Sequence, residues 1–270
     1  MISNRVLANS LPKSGSALLA ETVEMLGYKN HIPNQGMPKA FNYKEAKDAL
    51  NNIRQLSDIE KKIAISPFAP WYADQKTFRC WLDGVLPGHY IFGHLPWTSA
   101  LSPLTAELNF LHIVIIRDPR AVLASLIFEG GIIPRFLSSD FETMSLTQRL
   151  NFMSEGGYAQ KADAKISNFA DIYRSMLAWR KDNNCMVVRF EELVGERGRD
   201  SLINAVKSIA SYLNTGFSED IFVKLNSPDA PWTKRFRTDQ PDKWKDSMDE
   251  EHVKHIHEYC QTLCREAEYE

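Results

Sequence analysis

A lysine among small residues follows a short apolar run near the start of the chain. The segment Pro12-Lys13-Ser14-Gly15-Ser16 joins a predicted strand, Val6 to Ala8, to a predicted helix, Ser16 to Leu26. A tight turn that opens a helix points backbone N–H groups at one spot, where the helix dipole adds partial positive charge. Lys13 adds a full charge there. The spacing therefore predicts an anion-binding loop.

This loop differs from the common nucleotide loop, which follows the pattern G-x-x-x-x-G-K-[ST]. In this chain Lys13 precedes Gly15 instead of following a glycine. We therefore expect a nucleotide that is held by its phosphate and is not hydrolysed at a γ-phosphate.

A second cationic turn begins at Arg117. It follows the continuous apolar run Leu111 to Ile116, which predicts a strand buried on both faces. Ligands of open α/β sheets bind where such strands end. Ser125 lies eight residues further on, and an Arg fork with a hydroxyl can grip one phosphate. A surface ion pair between Arg117 and Asp118 is the alternative explanation of the Arg-Asp-Pro-Arg run.

Together these motifs resemble the sulfotransferases that use 3′-phosphoadenosine 5′-phosphosulfate (PAPS). The Lys13 loop looks like the 5′-phosphosulfate loop of that family. The stretch Arg117 to Ser125 looks like its 3′-phosphate motif, and Val187 to Leu193 resembles a later strand with an aromatic-acidic pair. The motifs occur in family order and at family spacing. The resemblance implies a P-loop-like fold, PAPS as the sulfuryl donor and 3′-phosphoadenosine 5′-phosphate (PAP) as the product.

The segment Phe92-Gly93-His94-Leu95-Pro96 is similar to the His-Leu-Pro strand end of cytosolic small-molecule sulfotransferases, where the histidine is the general base. Sulfuryl transfer resembles phosphoryl transfer, a loose in-line displacement in which charge builds on the leaving oxygen. The resemblance makes His94 the base for an acceptor hydroxyl or amine, and Lys13 the partner of the leaving oxygen. This chemistry requires no metal.

The resemblance also assigns residues to the nucleotide, with some departures from the family pattern. Ala17 and Leu18 stand where the family often has Thr and Trp, and Phe190 stands where it usually has Tyr. In the later basic segment Arg237 keeps its place, whereas polar or acidic residues replace a lysine and two glycines. The residues assigned to the nucleotide are Lys13, Ser14, Gly15, Ser16, Ala17, Leu18, Arg117, Ser125, Phe190, Ser227, Arg237 and Thr238.

Strands that alternate with helices predict an α/β fold with a central parallel sheet of about five strands and helices on both faces, in a single domain over residues 1–270. An aromatic stretch, Ser66 to Trp81, is predicted as a packed surface loop, with the wall of an apolar pocket as the alternative. The polar stretch Phe136 to Lys165 is predicted as a mobile lid or an irregular helical insert. A helix is predicted over Ile166 to Lys181.

The composition restricts the classes of molecule that we expect this protein to bind. The net charge of −2 provides no global basic field for nucleic acid, and the longest apolar runs are far shorter than the ~20 residues that span a bilayer. We therefore expect a cytoplasmic protein that acts on a small-molecule acceptor such as a specialised metabolite. His255, His257, Cys260 and Cys264 allow a metal cluster to be considered, but the spacing of the apolar residues favours a core stripe there.

Two other functions fit parts of the sequence. A P-loop kinase or nucleotide hydrolase would use the Lys13 loop, although the magnesium carboxylate expected after a strand is missing. A catalytically idle nucleotide-binding module would account for the departures at Ala17, Leu18 and Thr238.

Overall fold

Five parallel strands form the central sheet. The computed structural model describes residues 3–31, 62–69, 71–128, 135–226 and 244–269. In chain order the strands are β1 Arg5–Ser10, β2 Lys29–Asn30, β3 Lys62–Ala64, β4 Tyr72–Asp74, β5 His89–Gly93, β6 Phe110–Ile116, β7 Gly157–Ala159, β8 Ala164–Ile166 and β9 Cys185–Arg189. The central sheet has the order β2-β5-β1-β6-β9, and each of its pairings is parallel. The predicted α/β fold with a parallel sheet of about five strands is confirmed.

Helices cover both faces of this sheet. They are α1 Ser16–Met25, α2 Gln75–Asp83, α3 Leu101–Glu107, α4 Pro119–Phe128, α5 Arg135–Phe141, α6 Leu146–Glu155, α7 Phe169–Leu177, α8 Phe190–Leu193, α9 Arg199–Tyr212, α10 Glu219–Asn226 and α11 Glu250–Ala267, with short 3-10 turns at Ala178–Lys181 and Lys245–Ser247. Because side chains of a strand alternate between faces, Leu7 joins a core with α3, α4, α7 and α11, whereas Val6 and Ala8 join a core with α1 and α9.

The parallel register brings several strand ends to one edge of the sheet. Asn9 of β1 lies opposite Gly93 of β5, and Ser10 lies opposite Ile115 of β6. The residues that follow β1, β5 and β6 therefore emerge side by side, and they include the Lys13 loop, His94 and Arg117. This is the edge at which open α/β sheets bind ligands.

The surface loop predicted over Ser66 to Trp81 is wrong. The structure places β4 and α2 in this stretch, and Phe78 and Trp81 are buried in the core. Asp74 begins the helix, because its carboxylate accepts a hydrogen bond from the Thr77 amide at 2.9 Å. Phe78 and Trp81 thus lie on the buried face of α2.

The stretch from residue 136 to 181 is also more regular than predicted. Its polar first part contains α5, α6 and an antiparallel hairpin of β7 and β8. The helix predicted over Ile166 to Lys181 begins only at Phe169, because Ile166 pairs with Gly157 in the hairpin. The Asn168 side chain then caps α7 by accepting from the Asp171 amide at 2.9 Å. The final turn tightens into the 3-10 segment Ala178–Lys181.

Candidate functional site

The loop between β1 and α1 has the backbone of an anion site. The Ser14 amide donates to the Leu11 carbonyl oxygen at 3.0 Å, which closes a turn, and Lys13 and Gly15 adopt φ angles of 74° and 103°. Helix α1 begins at Ser16, and no side chain caps it at Gly15. The amides of its first turn and its dipole therefore serve a ligand well, as the sequence predicts.

Ser14 supplies a second sign of a ligand. Its side chain is only 1% exposed, and its hydroxyl has no hydrogen-bond partner among the described residues. A buried hydroxyl without a partner is costly in a folded protein. An anion oxygen in the loop would satisfy it. Lys13 and Ser16 are half-buried and Ala17 is exposed, whereas the Leu18 side chain lies in the core.

Arg117 is held against this loop. Its Nη1 donates to the Lys13 carbonyl oxygen at 3.1 Å, and its guanidinium carbon lies 4.3 Å from the centre of the Phe190 ring. The Tyr173 hydroxyl donates to the Arg117 carbonyl oxygen at 2.8 Å. The two predicted phosphate motifs therefore meet in space, although they are more than a hundred residues apart.

The alternative of an ion pair between Arg117 and Asp118 is not what the structure shows. The Asp118 carboxylate is gripped by Arg120, whose Nη2 lies 2.6 Å from Oδ2 and whose Nε lies 2.9 Å from Oδ1. The Arg120 backbone amide adds a further bond to Asp118 Oδ1 at 2.8 Å. Arg120 thus satisfies Asp118 within the turn itself.

Phe190 and Ser125 complete the described part of the second motif. Phe190 is buried and packs so closely on Gly15 that a Cβ there would lie 2.5 Å from its ring. It therefore supports both the loop and the Arg117 guanidinium. Ser125 lies on α4 and is half-buried, although Ala124 and Leu126 beside it are fully buried.

His94 follows the carboxyl end of β5 and reaches the end of β1. Its Nδ1 lies 2.8 Å from the Ser10 carbonyl oxygen. Because a carbonyl only accepts, Nδ1 carries the proton, and Nε2 of the neutral ring keeps its lone pair. Burial lowers the pKa of His94, opposed by the bond to Ser10. The ring is therefore neutral at physiological pH and suited to accept a proton at Nε2.

Two residues at the end of β1 were missed by the sequence prediction. The Asn9 side chain is fully buried, accepts from the Leu95 amide at 2.8 Å and donates to the Leu95 carbonyl at 2.9 Å. The Ser10 hydroxyl lies 2.6 Å from Ser16 Oγ and 3.4 Å from His94 Nδ1. These bonds fix His94 beside the Lys13 loop. Polar residues that end an otherwise apolar strand were the available signal.

Ser227, Arg237 and Thr238 lie outside the described residues. Within the described ranges, no three His, Cys, Asp or Glu side chains form a group that could hold a metal ion. Ile256, Cys260, Leu263 and Cys264 of α11 are buried, which confirms the predicted core stripe. No helix in the same ranges has the length and apolarity to cross a membrane.

The fold and the site define a P-loop-like α/β protein with two facing cationic loops and a histidine at one sheet edge. Comparison with family descriptions then identifies the family: the sulfotransferase domain matches residues 3–268. The chain belongs to the sulfotransferase family and is a sulfotransferase, as its motifs predict. A search of curated proteins finds no match.

Solved structures with the same fold are distant in sequence. Mouse sulfotransferase SULT7A1 complexed with PAP is 16% identical, with a TM-score of 0.56, and the alignment covers 97% of this chain and 85% of that chain. Retinol dehydratase in complex with retinol and PAP is 14% identical, with a TM-score of 0.52, over 98% of this chain and 82% of that one. The same enzyme with androsterone and PAP gives a TM-score of 0.50 at 14% identity, over 98% and 81%.

Proposed function

We propose that this protein transfers a sulfuryl group from PAPS to a hydroxyl or amine of a small-molecule acceptor. The observation that carries the proposal is the bond between the two cationic loops, in which Arg117 Nη1 donates to the Lys13 carbonyl oxygen at 3.1 Å. A nucleotide with phosphate groups at both its 5′ and 3′ positions would be held at two such loops. Residues 1–270 act as one domain in this proposal.

The residues of the first loop suit the 5′-phosphosulfate. The uncapped start of α1 offers amides of Ser16, Ala17 and Leu18, and the unsatisfied Ser14 hydroxyl offers one more donor. Gly15 has no side chain, so its backbone can approach the anion closely. A side chain would not fit there, because φ is 103° and a Cβ would clash with the Phe190 ring.

The second loop suits the 3′-phosphate. Arg117 would donate to this phosphate from its place on the Phe190 ring, and Ser125 would add a hydroxyl. Arg237 and Thr238 would serve the same group, and Phe190 and Ser227 would lie near the adenine. PAPS is the donor and PAP is the product that stays on these residues when the sulfuryl group leaves.

The reaction breaks the S–O bond to the phosphate and forms an S–O bond to a hydroxyl acceptor or an S–N bond to an amine acceptor. The acceptor oxygen or nitrogen attacks sulfur in line, and the bond from sulfur to the phosphate oxygen breaks. Lys13 stabilises the negative charge that develops on that oxygen. His94 takes the acceptor proton at Nε2, because Nδ1 is fixed on the Ser10 carbonyl. The hydrogen bonds from the Ser10 hydroxyl to Ser16 and to His94 hold the proposed base at a fixed position relative to the Lys13 loop.

The acceptor is a small molecule, and we place the reaction in the cytoplasm. The neighbouring retinol dehydratase structures contain retinol and androsterone, which are small apolar alcohols. We propose an acceptor of comparable size, such as a specialised metabolite. Nucleic acid has no part in this proposal.

Transfer of labelled sulfate from PAPS to a panel of small alcohols, phenols and amines tests the proposal directly. His94→Ala and Lys13→Ala should each lower kcat by about 10²-fold or more. His89→Ala is the matched control, because His89 lies at the opposite end of the same strand. PAP binding without turnover on any acceptor would indicate an idle module. A thermal shift with ATP and Mg²⁺ but not with PAP would indicate a kinase or hydrolase.

A further inference from the structure

A short segment at the end of α11 contacts the turn that begins at Arg117. We call Ala267, Glu268 and Tyr269 the α11 strap. Glu268 adopts a left-handed φ of 59°, and the Tyr269 amide donates to the Cys264 carbonyl oxygen at 2.8 Å. The chain therefore turns sharply at the end of the helix. The turn brings the Tyr269 hydroxyl within 2.8 Å of Glu191 Oε2, to which it donates.

Glu191 connects the Tyr269 hydroxyl to the turn that begins at Arg117. Its carboxylate is buried, and its second oxygen accepts from the Asp118 amide at 3.0 Å. Asp118 directly follows Arg117, so two hydrogen bonds connect the Tyr269 hydroxyl to the backbone that carries the guanidinium. Burial raises the pKa of Glu191, whereas its hydrogen bonds and the charge of Arg117 oppose that rise. Burial and Glu191 raise the pKa of Tyr269, so its hydroxyl remains a donor.

Other bonds hold the strap from both sides. Arg120, which grips Asp118, also donates to the Tyr269 carbonyl oxygen at 3.3 Å. The Arg189 guanidinium lies 4.5 Å from the centre of the Tyr269 ring and donates to the Ala267 carbonyl oxygen at 3.0 Å. The Tyr269 phenol is therefore held at the end of β9, close to the turn that follows β6.

We propose that Tyr269, acting through Glu191, is a positioning residue for Arg117 and sets how tightly the protein holds the 3′-phosphate of its nucleotide. A guanidinium binds a phosphate well only when its fork is held in one orientation by its neighbours. The inference rests on the proposed function, which places the 3′-phosphate at Arg117.

The test compares two nucleotides that differ at the 3′ position. Dissociation constants of PAP and adenosine 5′-monophosphate, which lacks the 3′-phosphate, are measured by calorimetry on the intact protein and on Tyr269→Phe. The variant should bind PAP about fivefold more weakly, equivalent to about 1 kcal/mol. It should bind the monophosphate as the unaltered protein does, because that ligand does not use Arg117.

Tyr259→Phe is the matched control. Tyr259 lies on the same helix, and its hydroxyl donates to the Ser154 carbonyl at 3.0 Å and accepts from the Ala170 amide at 3.1 Å. Its loss should lower the melting temperature without changing the ratio of the two dissociation constants. A merely structural role of Tyr269 would give the same result as this control and would overturn the inference.

Two further outcomes separate the inference from the function on which it rests. If the unaltered protein binds PAP no more tightly than the monophosphate, the assignment of Arg117 to a 3′-phosphate is wrong. If Tyr269→Phe does not fold, the same two dissociation constants are measured on Glu191→Gln. The glutamine side chain keeps an oxygen that can accept from the Asp118 amide, but it presents an N–H donor to the Tyr269 hydroxyl. Glu191→Gln should also reduce the preference for PAP by about fivefold, and an unchanged preference would refute the positioning role.

Discussion

Replacing His112 by leucine should remove about 2 kcal/mol from the loss of unfolding free energy that this fold shows between pH 8 and pH 5. His112 lies in β6, is only 1% exposed, and neither of its ring nitrogens has a hydrogen-bond partner among the described residues. Its ring meets the edge of the Trp179 ring at a centroid distance of 4.1 Å. Burial lowers its pKa to about 3, because no solvent reaches the imidazolium.

The sign and size of the effect follow from proton linkage. The folded pKa lies below the usual value of 6.5, so the unfolded chain binds more protons between that value and about 3. The stabilisation that the neutral ring provides is complete above the unfolded pKa and is lost as the pH falls through this window. At pH 5 the loss from this group alone is about 2 kcal/mol relative to pH 8. Leucine cannot be protonated and therefore removes this part of the loss.

Urea unfolding at pH 5 and at pH 8, followed by circular dichroism, measures the difference. The drop in unfolding free energy between the two pH values should be about 2 kcal/mol smaller in His112→Leu than in the unaltered protein. A packing cost of the leucine cancels in this difference, because it applies at both pH values. Ile113→Leu is the control, because this neighbouring residue of β6 is equally buried and cannot be protonated before or after the substitution, so it should leave the drop unchanged. Equal drops in all three proteins would refute the reasoning.

Further predictions concern the site. Because burial lowers the pKa of His94, kcat/KM should hold down to a pH below the usual histidine range and then fall, and His94→Gln should abolish that limb in a pH profile. Asn9→Leu leaves backbone groups unsatisfied at the site and should destabilise the protein by about 2–4 kcal/mol in urea unfolding, with a matching loss of kcat. Gly15→Ala should weaken PAP binding in calorimetry by at least about tenfold through its clash with Phe190, whereas Gly198→Ala, with a similar φ of 94° and nothing within 4 Å, should not.

The sequence predicts the local structure of the two cationic loops well. The loops at Lys13 and Arg117 are continuous segments, each with a buried strand, a turn and a helix start, and such signals lie within some fifteen residues. Their approach follows from the parallel sheet, because β1 and β6 are neighbours and end together. The class of protein could therefore be predicted before any coordinates were known.

The supporting contacts could not be predicted, because they join residues distant in the chain. The bond from Tyr269 to Glu191 spans 78 positions, and the bond from Asn9 to the Leu95 peptide spans 86. Neither residue type signals such a partner, since a tyrosine near the end of a helix and an asparagine at a strand end usually face solvent or a turn. The structure of the aromatic stretch at residues 66–81 could not be predicted for a related reason. The burial of its side chains depends on contacts with residues that are distant in the chain.

One tryptophan, Trp179, connects His94, the proposed general base, to the stability of the fold at low pH. Trp179 donates from Nε1 to the Leu95 carbonyl at 2.9 Å, and Asn9 bonds to the same carbonyl from the other side. The Leu95 peptide is therefore held twice, immediately after His94. The same Trp179 ring packs on His112, so protonation of that buried imidazole would disturb the residue that holds the Leu95 peptide next to His94. Stability at low pH and the position of the His94 imidazole thus depend on one packed pair, because the strand end that carries His94 has Trp179 as its neighbour.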